Sequence, residues 1–316
     1  MVEVHIAVLD TDVPCYRVYA KRGLYSTQFR RLLQAAAERI NKSGQELKHS
    51  QIEVRVTGFD VVGGVFPSLE CLRVDSAADG IVYTDTRPPP IDALLVTGAA
   101  AAAYDDLHWI PPLQLYLQKV YSEFPLVRIF GSCFGHQLIG QALLGAEFEA
   151  KGDQLSGKAV VKPMPDGHEI GPHLITLNPK FARRFAPLQR FSSTNPLRLQ
   201  LIHGDAVVPY QELNGEKGTT DDFLEGSWMS IGTTDRCSIQ GLYNPGRVLT
   251  LQGHFEYDAF ATGELCHQFA NTFKWSESRL SAHLEKIWES SRHGMEDDDD
   301  SGAVAEAVLL FFAGED

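Results

Sequence analysis

Along the 316-residue chain the apolar positions change period repeatedly, and each change predicts an element. Val4–Leu9 alternates once and then runs apolar, which predicts a buried parallel strand ended by the Asp10–Pro14 stretch. Phe29, Leu32, Leu33, Ala36 and Ile40 recur at helical spacing and predict a helix over Tyr25–Ile40. Ile52–Phe59 predicts a second strand and Ile91–Gly98 a third, ending in glycine. Between these two, Pro67, Gly80 and Pro88-Pro89-Pro90 punctuate the chain. The proline run predicts a stiff surface connection or the mouth of a site. His108–Tyr121 predicts a helix with Pro111 and Pro112 in its first turn, where proline is tolerated. Leu126–Phe130 predicts a strand, followed at once by a helix over Phe134–Leu144 that Gly145 closes.

Downstream, Lys151–Ile175 carries Gly and Pro every few residues between short alternating runs, and predicts hairpin strands laid over a sheet edge. Leu199–Ile202 predicts a strand. Val207–Gly232 has no period, and a stretch that long is a functional loop or disordered. Ile239–Tyr243 and Val248–Gln252 predict a hairpin turned by Asn244-Pro245-Gly246. Ala261–Trp275, Arg279–Trp288 and Ala303–Phe312 predict helices, the last preceded by an acidic run, Glu296–Asp300, whose final carboxylates face its N-terminus. Strands alternating with helices predict an α/β fold: a flavodoxin-like, mostly parallel sheet with helices on both faces and a C-terminal helical extension. A single domain over 1–316 is expected, with a motif-bearing core over about 90–270 and C-terminal helices over about 261–312.

Composition narrows the function classes. Apolar residues make up 44% of the chain, as in globular proteins, and no apolar run reaches the eighteen residues of a membrane span. The first residues read as a strand and not as a signal peptide. A formal charge of −13 argues against nucleic-acid binding, which needs a basic face. Five scattered cysteines with no C-x-x-C pair predict reduced thiols in a cytoplasmic compartment. The histidines other than His136, His203 and His254 show no ligand spacing, so neither metal nor cofactor is expected.

Candidate chemistry centres on Gly131-Ser132-Cys133-Phe134-Gly135, between the predicted strand and helix. This is the G-x-nucleophile-x-G elbow with Cys in place of Ser. The flanking glycines let backbones approach where a Cβ would clash, and the nucleophile takes a strained conformation that projects its side chain. The helix N-terminus beside it stabilises an anion. A Cys nucleophile needs a base, and the base needs an orienting acceptor. Gln252-Gly253-His254-Phe255-Glu256, at the end of a predicted strand, offers His254 and Glu256 for these roles. His203, near Asp205, is a second possible base or a pocket-lining or structural residue; only His254 has a Glu two residues on. His136 is expected to pack.

These segments resemble the class I glutamine amidotransferases with their Cys-His-Glu triad. Gly131–Gln137 resembles the family's G-x-C-x-G-x-Q, Gln252–Glu256 its Q-x-H-P-E, and His203-Gly204-Asp205-Ala206-Val207 its H-G-D-x-V. The resemblance is closest to stand-alone, GMP-synthase-like members found in fungi, which share the Ala103-Tyr104-Asp105-Asp106 stretch. It implies Cys133, His254 and Glu256 as catalytic residues, and the N–H groups of Gly98 and Phe134 as the oxyanion hole. Gln137, which could also be a capping or core amide, would line the substrate pocket with His203, Gly204 and Asp205. It implies cleavage or transfer at the side-chain amide of glutamine or a γ-glutamyl amide through a thioester, in a specialised pathway. Two alternatives remain: a glutaminase subunit supplying ammonia to a separate synthase, and a non-catalytic binding protein that keeps the fold. The sequence departs from the family at Ala99–Ala103 and at Phe255, which stands where the family has proline. With Phe134, these residues predict an apolar pocket wall and a bulky, partly apolar amide substrate.

Overall fold

In a computed structural model of the protein, every residue is described except 45–46, 49–50, 76–88, 146–158, 166, 210–223, 225–226 and 292–298. Gly80, Pro88, the start of the predicted 151–175 hairpin, most of the 207–232 loop and the first part of the acidic run lie outside the described residues. The strands are β1 (Val2–Asp10), β2 (Ile52–Asp60), β3 (Ala93–Val96), β4 (Arg128–Ser132), β5 (Ala159–Pro163), β6 (Glu169–Leu177), β7 (Leu197–His203), β8 (Asp205–Pro209), β9 (Met229–Ser230), β10 (Gly232–Thr233), β11 (Leu242–Asn244) and β12 (Val248–Leu251). The α-helices are α1 (Tyr16–Arg22), α2 (Tyr25–Lys42), α3 (Ile110–Glu123), α4 (Phe134–Leu144), α5 (Pro179–Ala182), α6 (Ala259–Thr272), α7 (Glu277–Ser291) and α8 (Ser301–Ala313).

The central sheet runs in the order β2-β1-β3-β4-β12-β11-β9. Its first five strands are parallel, and β11 and β9 continue it antiparallel. Both faces are covered, and period-two alternation sorts the side chains between them. Val4, Ile6 and Val8 of β1 join Phe29 and Leu33 of α2 and Val308 and Phe312 of α8 in one core. Ala7 and Leu9 point the other way, into a core with Leu113 and Leu117 of α3 and Leu138 and Ile139 of α4. This is the expected doubly covered, flavodoxin-like α/β arrangement. The last helix is a full partner in the first core: from Ala307 to Ala313 every side chain is buried.

Two expectations are corrected and a third is met. The two strands of the 151–175 region do not form a hairpin with each other: β5 pairs with β8 and β6 with β7, both antiparallel, in small separate sheets. Pro89 does not line a site, because its carbonyl bonds the His5 ring at 2.8 Å, near the start of β1. The final carboxylates of the acidic run stand at the N-terminus of α8 as expected: Asp299 accepts from the Ser301 N–H at 3.0 Å, while Asp300 accepts from the Arg198 N–H at 2.8 Å and from Arg190 at 3.0 Å, tying the helix to β7.

Candidate active site

Three adjacent parallel strands, β3, β4 and β12, end side by side, and their ends carry Gly98, Cys133 and His254. Between β4 and α4 the chain reverses in one residue, Cys133, at φ +50°. That left-handed conformation is costly for a residue with a Cβ and is held by its surroundings. The flanking glycines show how. A Cβ on Gly131 would lie 2.4 Å from the Gly135 carbonyl carbon, and one on Gly135 2.4 Å from the Val96 oxygen. Strand, elbow and helix therefore pack backbone on backbone. Cys133 is buried and starts α4, so the Phe134 N–H has no intrahelical acceptor. Gly98 is equally close: a Cβ there would lie 3.2 Å from His254 Cε1 and 3.6 Å from Cys133 Cβ.

His254 and Glu256 are both buried, and His254 Nδ1 donates to Glu256 Oε1 at 2.8 Å. Ser132 Oγ donates to the same oxygen at 3.1 Å. The opposite ring nitrogen, Nε2, has no nitrogen or oxygen partner among the described residues, and the His254 side chain interacts with Cys133. Burial by itself would lower the His254 pKa, but the Glu256 carboxylate and the Cys133 sulfur together raise it to about 10. The imidazole therefore holds a proton through neutral pH.

The supporting groups are mostly ones that sequence reasoning missed. Tyr257 stacks on the His254 ring, centroids 4.1 Å apart, and its hydroxyl donates to Tyr25 at 3.0 Å. Gln252 Nε2 reaches Cys133 Sγ at 3.5 Å, although the sequence showed Gln252 only as a letter of its motif. After β1, Thr11 Oγ1 donates to the Gly98 carbonyl at 3.0 Å, and Asp12 accepts from the Ala100 N–H at 2.9 Å. The stretch read as a mere strand break thus fixes the turn that bears Gly98.

The expected substrate-binding residues gather on one side of Cys133, around a cavity of about 370 Å³ lined by Gln137, His203, Gly204, Asp205 and part of the alanine run. Gln137 Nε2 is spent on the Asp205 carbonyl at 3.0 Å and on Gln252 at 3.1 Å. Tyr104 donates to the Asp205 carboxylate at 2.9 Å. A Cβ on Gly204 would lie 2.7 Å from His168 Nε2. His203 is bonded through both ring nitrogens, to the Asp205 carbonyl and Glu169, each at 2.9 Å. His136 packs as expected: Nδ1 meets Thr250 Oγ1 at 2.8 Å, and burial lowers its pKa to about 3.

The apolar wall expected from Phe134 and Phe255 is corrected. Phe255 packs on Phe29 and Phe130, and Phe134 on Trp109, all inside the cores. Alternation along the strand end explains Phe255: its neighbours His254 and Glu256 face the nucleophile, so it faces away. Among the described residues, no group of three or more His, Cys, Asp or Glu is placed to hold a metal ion.

No protein-family model matches the chain. It is 23% identical over 282 residues to a Schizosaccharomyces pombe protein named "Putative glutamine amidotransferase-like protein", covering 89% of this chain and 91% of that one. A Saccharomyces cerevisiae protein named "Putative glutamine amidotransferase" is 27% identical over 211 residues, 66% of this chain and 64% of its own length. Among solved structures, a glutamine amidotransferase from Thermotoga maritima superposes with a TM-score of 0.56 at 14% identity, covering 99% of each chain. One from Methylobacillus flagellatus gives 0.51 at 14% identity, over 99% of this chain and 94% of that one. The chain thus has the fold of solved glutamine amidotransferases and is similar in sequence to yeast proteins named after that family.

Proposed function

We propose that the protein is a cysteine-dependent enzyme that cleaves or transfers at the side-chain amide of glutamine or a γ-glutamyl amide. The observation that carries this reading is the elbow cysteine at φ +50° beside an imidazole whose far nitrogen is held by Glu256 at 2.8 Å. Cys133 is the nucleophile, His254 the acid and base, and Glu256 the group that orients and charges the ring.

In the first half-reaction the Cys133 sulfur attacks the amide carbon while its proton resides on His254 Nε2. The carbonyl electrons move to oxygen, facing the N–H groups of Gly98 and Phe134, where each donor contributes about 3 kcal/mol in comparable acyl transfers. The C–N bond then breaks, and His254 gives its proton to the departing ammonia or amine. A γ-glutamyl thioester remains on Cys133. In the second half-reaction water or another amine attacks that carbon and passes a proton to His254. The acyl C–S bond breaks, its electron pair stays on the sulfur, and Cys133 is left as a thiolate beside protonated His254. The cavity lined by Gln137 and Asp205 receives the glutamyl end.

Hydroxylamine intercepts a thioester as a hydroxamate. With glutamine or a γ-glutamyl anilide as donor, the protein should form γ-glutamyl hydroxamate and the Cys133→Ala variant none. Equal yields from the two proteins, or none from either, would remove the thioester reading.

A further inference from the structure

A second and larger cavity, of about 800 Å³, opens at the C-terminal ends of β1 and β2. It sits where the sheet order turns back around β1, with β2 on one side and β3 on the other. In open α/β sheets such crevices hold ligands, and the volume lies within the usual small-molecule range of roughly 300–1,000 Å³. Its wall is largely apolar and includes Phe59, Leu107 and Trp109. Its polar side chains include the carboxylates of Asp10, Asp12 and Asp60, and among the described residues no Lys, Arg or His lines it.

The carboxylates keep acceptor capacity. Asp10 Oδ1 accepts from the Ser26 N–H at 2.9 Å, and Asp60 Oδ1 from the Gly63 N–H at 2.8 Å. Asp12 accepts from Val13 and Ala100 at 2.7 and 2.9 Å. An ionised carboxylate offers about four lone-pair positions, so each retains some for a ligand. Burial raises the Asp10 pKa, and the charge of Asp60 adds to that rise, so a cation in the cavity would relieve both.

The cavity also adjoins the space beside the sulfur. Asp12, Val13 and Ala99 belong both to its wall and to a throat of about 30 Å³ lined by Gly98, Cys133 and His254. That is room for about one water-sized group. An amine nitrogen fits there, whereas a ring or long chain must stay behind in the larger space. The glutamyl cavity also borders Cys133 and shares Ala99 and Ala101 with the larger cavity, so the alanine run stands between the places for the two halves of an amide.

We infer that the acidic, aromatic-edged cavity at the ends of β1 and β2 binds the amine partner of the transfer, a primary amine with a second, cationic group on an apolar body. This rests on Cys133 forming a γ-glutamyl thioester. The cationic end pairs with the carboxylates, and the apolar body lies against Trp109 and Leu107. The neutral amine at the other end enters the throat and attacks the thioester carbon. Its proton passes to His254, the acyl C–S bond breaks with its electron pair left on the Cys133 sulfur, and a γ-glutamyl amide leaves.

The test has a binding arm and a product arm. In the first, 1,4-bis(aminomethyl)benzene is titrated calorimetrically into the full-length Cys133→Ala protein, which cannot react, beside 4-methylbenzyl alcohol and 4-methylbenzoate. The diamine should bind saturably and more tightly than either analogue. Adding Asp60→Asn should weaken it about three- to fivefold, and adding Leu107→Arg, a cation at the half-exposed rim, by about tenfold or more. No saturable heat, equal binding of an analogue, or no effect of either substitution would overturn the inference. In the second arm the wild-type protein receives glutamine and the diamine, and the γ-glutamyl conjugate is measured by mass spectrometry. A conjugate is expected. Hydroxamate with hydroxylamine but no conjugate with the diamine overturns the acceptor role. Absence of both products counts against the thioester instead, and the binding arm then decides the cavity alone.

Discussion

Two buried histidines in this molecule each bond a buried carboxylate, and the sequence around each could be taken for a catalytic base. His254 meets Glu256 at 2.8 Å, and His203 meets Glu169 at 2.9 Å. They differ in the opposite nitrogen. In His203 it is taken by the Asp205 carbonyl at 2.9 Å, while Glu169 is held again by Gln240 at 2.8 Å. In His254 it has no nitrogen or oxygen partner among the described residues, and the side chain interacts with the cysteine. A carboxylate beside an imidazole orients and charges it, but proton transfer requires a nitrogen left over. A closed network such as that of His203 holds strands together, here β6 to β7.

The largest effect should separate the two histidines by turnover. Cys133→Ala and His254→Ala should each lower the rate about 10⁴-fold or more, with the double variant hardly worse, because the two act as one unit. Glu256→Gln should be roughly 10²-fold less damaging than His254→Ala, since the carboxylate only supports the ring. His203→Ala should leave turnover per folded molecule largely intact. Steady-state rates normalised to folded protein check this, and a His203→Ala loss equal to that of His254→Ala would move the base to His203.

Stability should separate them next. His203→Ala removes one partner of the buried Glu169, which keeps Gln240, and losing that hydrogen bond should cost about 1–3 kcal/mol. Glu169→Gln should cost less, because a neutral amide can still accept from His203. Urea denaturation measures both, and a His203→Ala protein as stable as wild type would contradict the structural role.

The pH dependence of stability should place the two pairs on opposite limbs. Burial would raise the Glu169 pKa, but the His203 hydrogen bond and charge and the Thr234 hydroxyl hold it near about 2. Its contribution is therefore full above the ordinary carboxylate value and is lost as the pH falls through about 2. The His254 pKa is raised, so its contribution is full below 6.5 and is lost as the pH rises through about 10. Inside either window the slope is at most about 1.4 kcal/mol per pH unit for one group. Glu169→Gln should flatten the acid limb and His254→Gln the alkaline one; the reverse assignment would break the comparison.

The smallest effect is in thiol labelling. Cys71 is exposed, whereas burial raises the pKa of Cys15, and that of Cys266 to about 11. Iodoacetamide should nonetheless modify Cys133 roughly several-fold faster than Cys71. The Cys133 rate should drop in His254→Ala and hold in His203→Ala. Peptide mapping after short exposures reads both, and labelling of Cys71 first would count against an activated Cys133.

How much of this was legible along the chain depended on the reach of each signal. The strand–Cys133–helix turn was visible because its constraint is local: two glycines, each two residues from the cysteine, meet backbone on opposite sides. Helix α4 matched its predicted bounds because its helical pattern runs from the elbow to Gly145 without a Pro or a turn signal. The 151–175 region misled because both of its strands pair with partners more than twenty residues downstream, and turn signals say nothing of such partners. Phe255 misled despite a usable signal, since alternation alone turns it away from His254 and Glu256. Helix α1 went unread because its seven residues bury only Val18 and so leave almost no apolar stripe.

Taken by itself, the sequence determined the α/β alternation, the elbow and the placing of His254 and Glu256 on one strand end, because periodicity and short spacings are properties of neighbouring residues. Only the tertiary structure decided which histidine keeps a free nitrogen, since Glu169 is 34 residues from His203 in the chain. It also decided that Tyr257 and Tyr25 brace the ring of His254 across 232 residues, and that Asp10, Asp12 and Asp60 face one cavity. These are consequences of parallel strands ending at a common edge, where crossover connections bring together residues that no local pattern links.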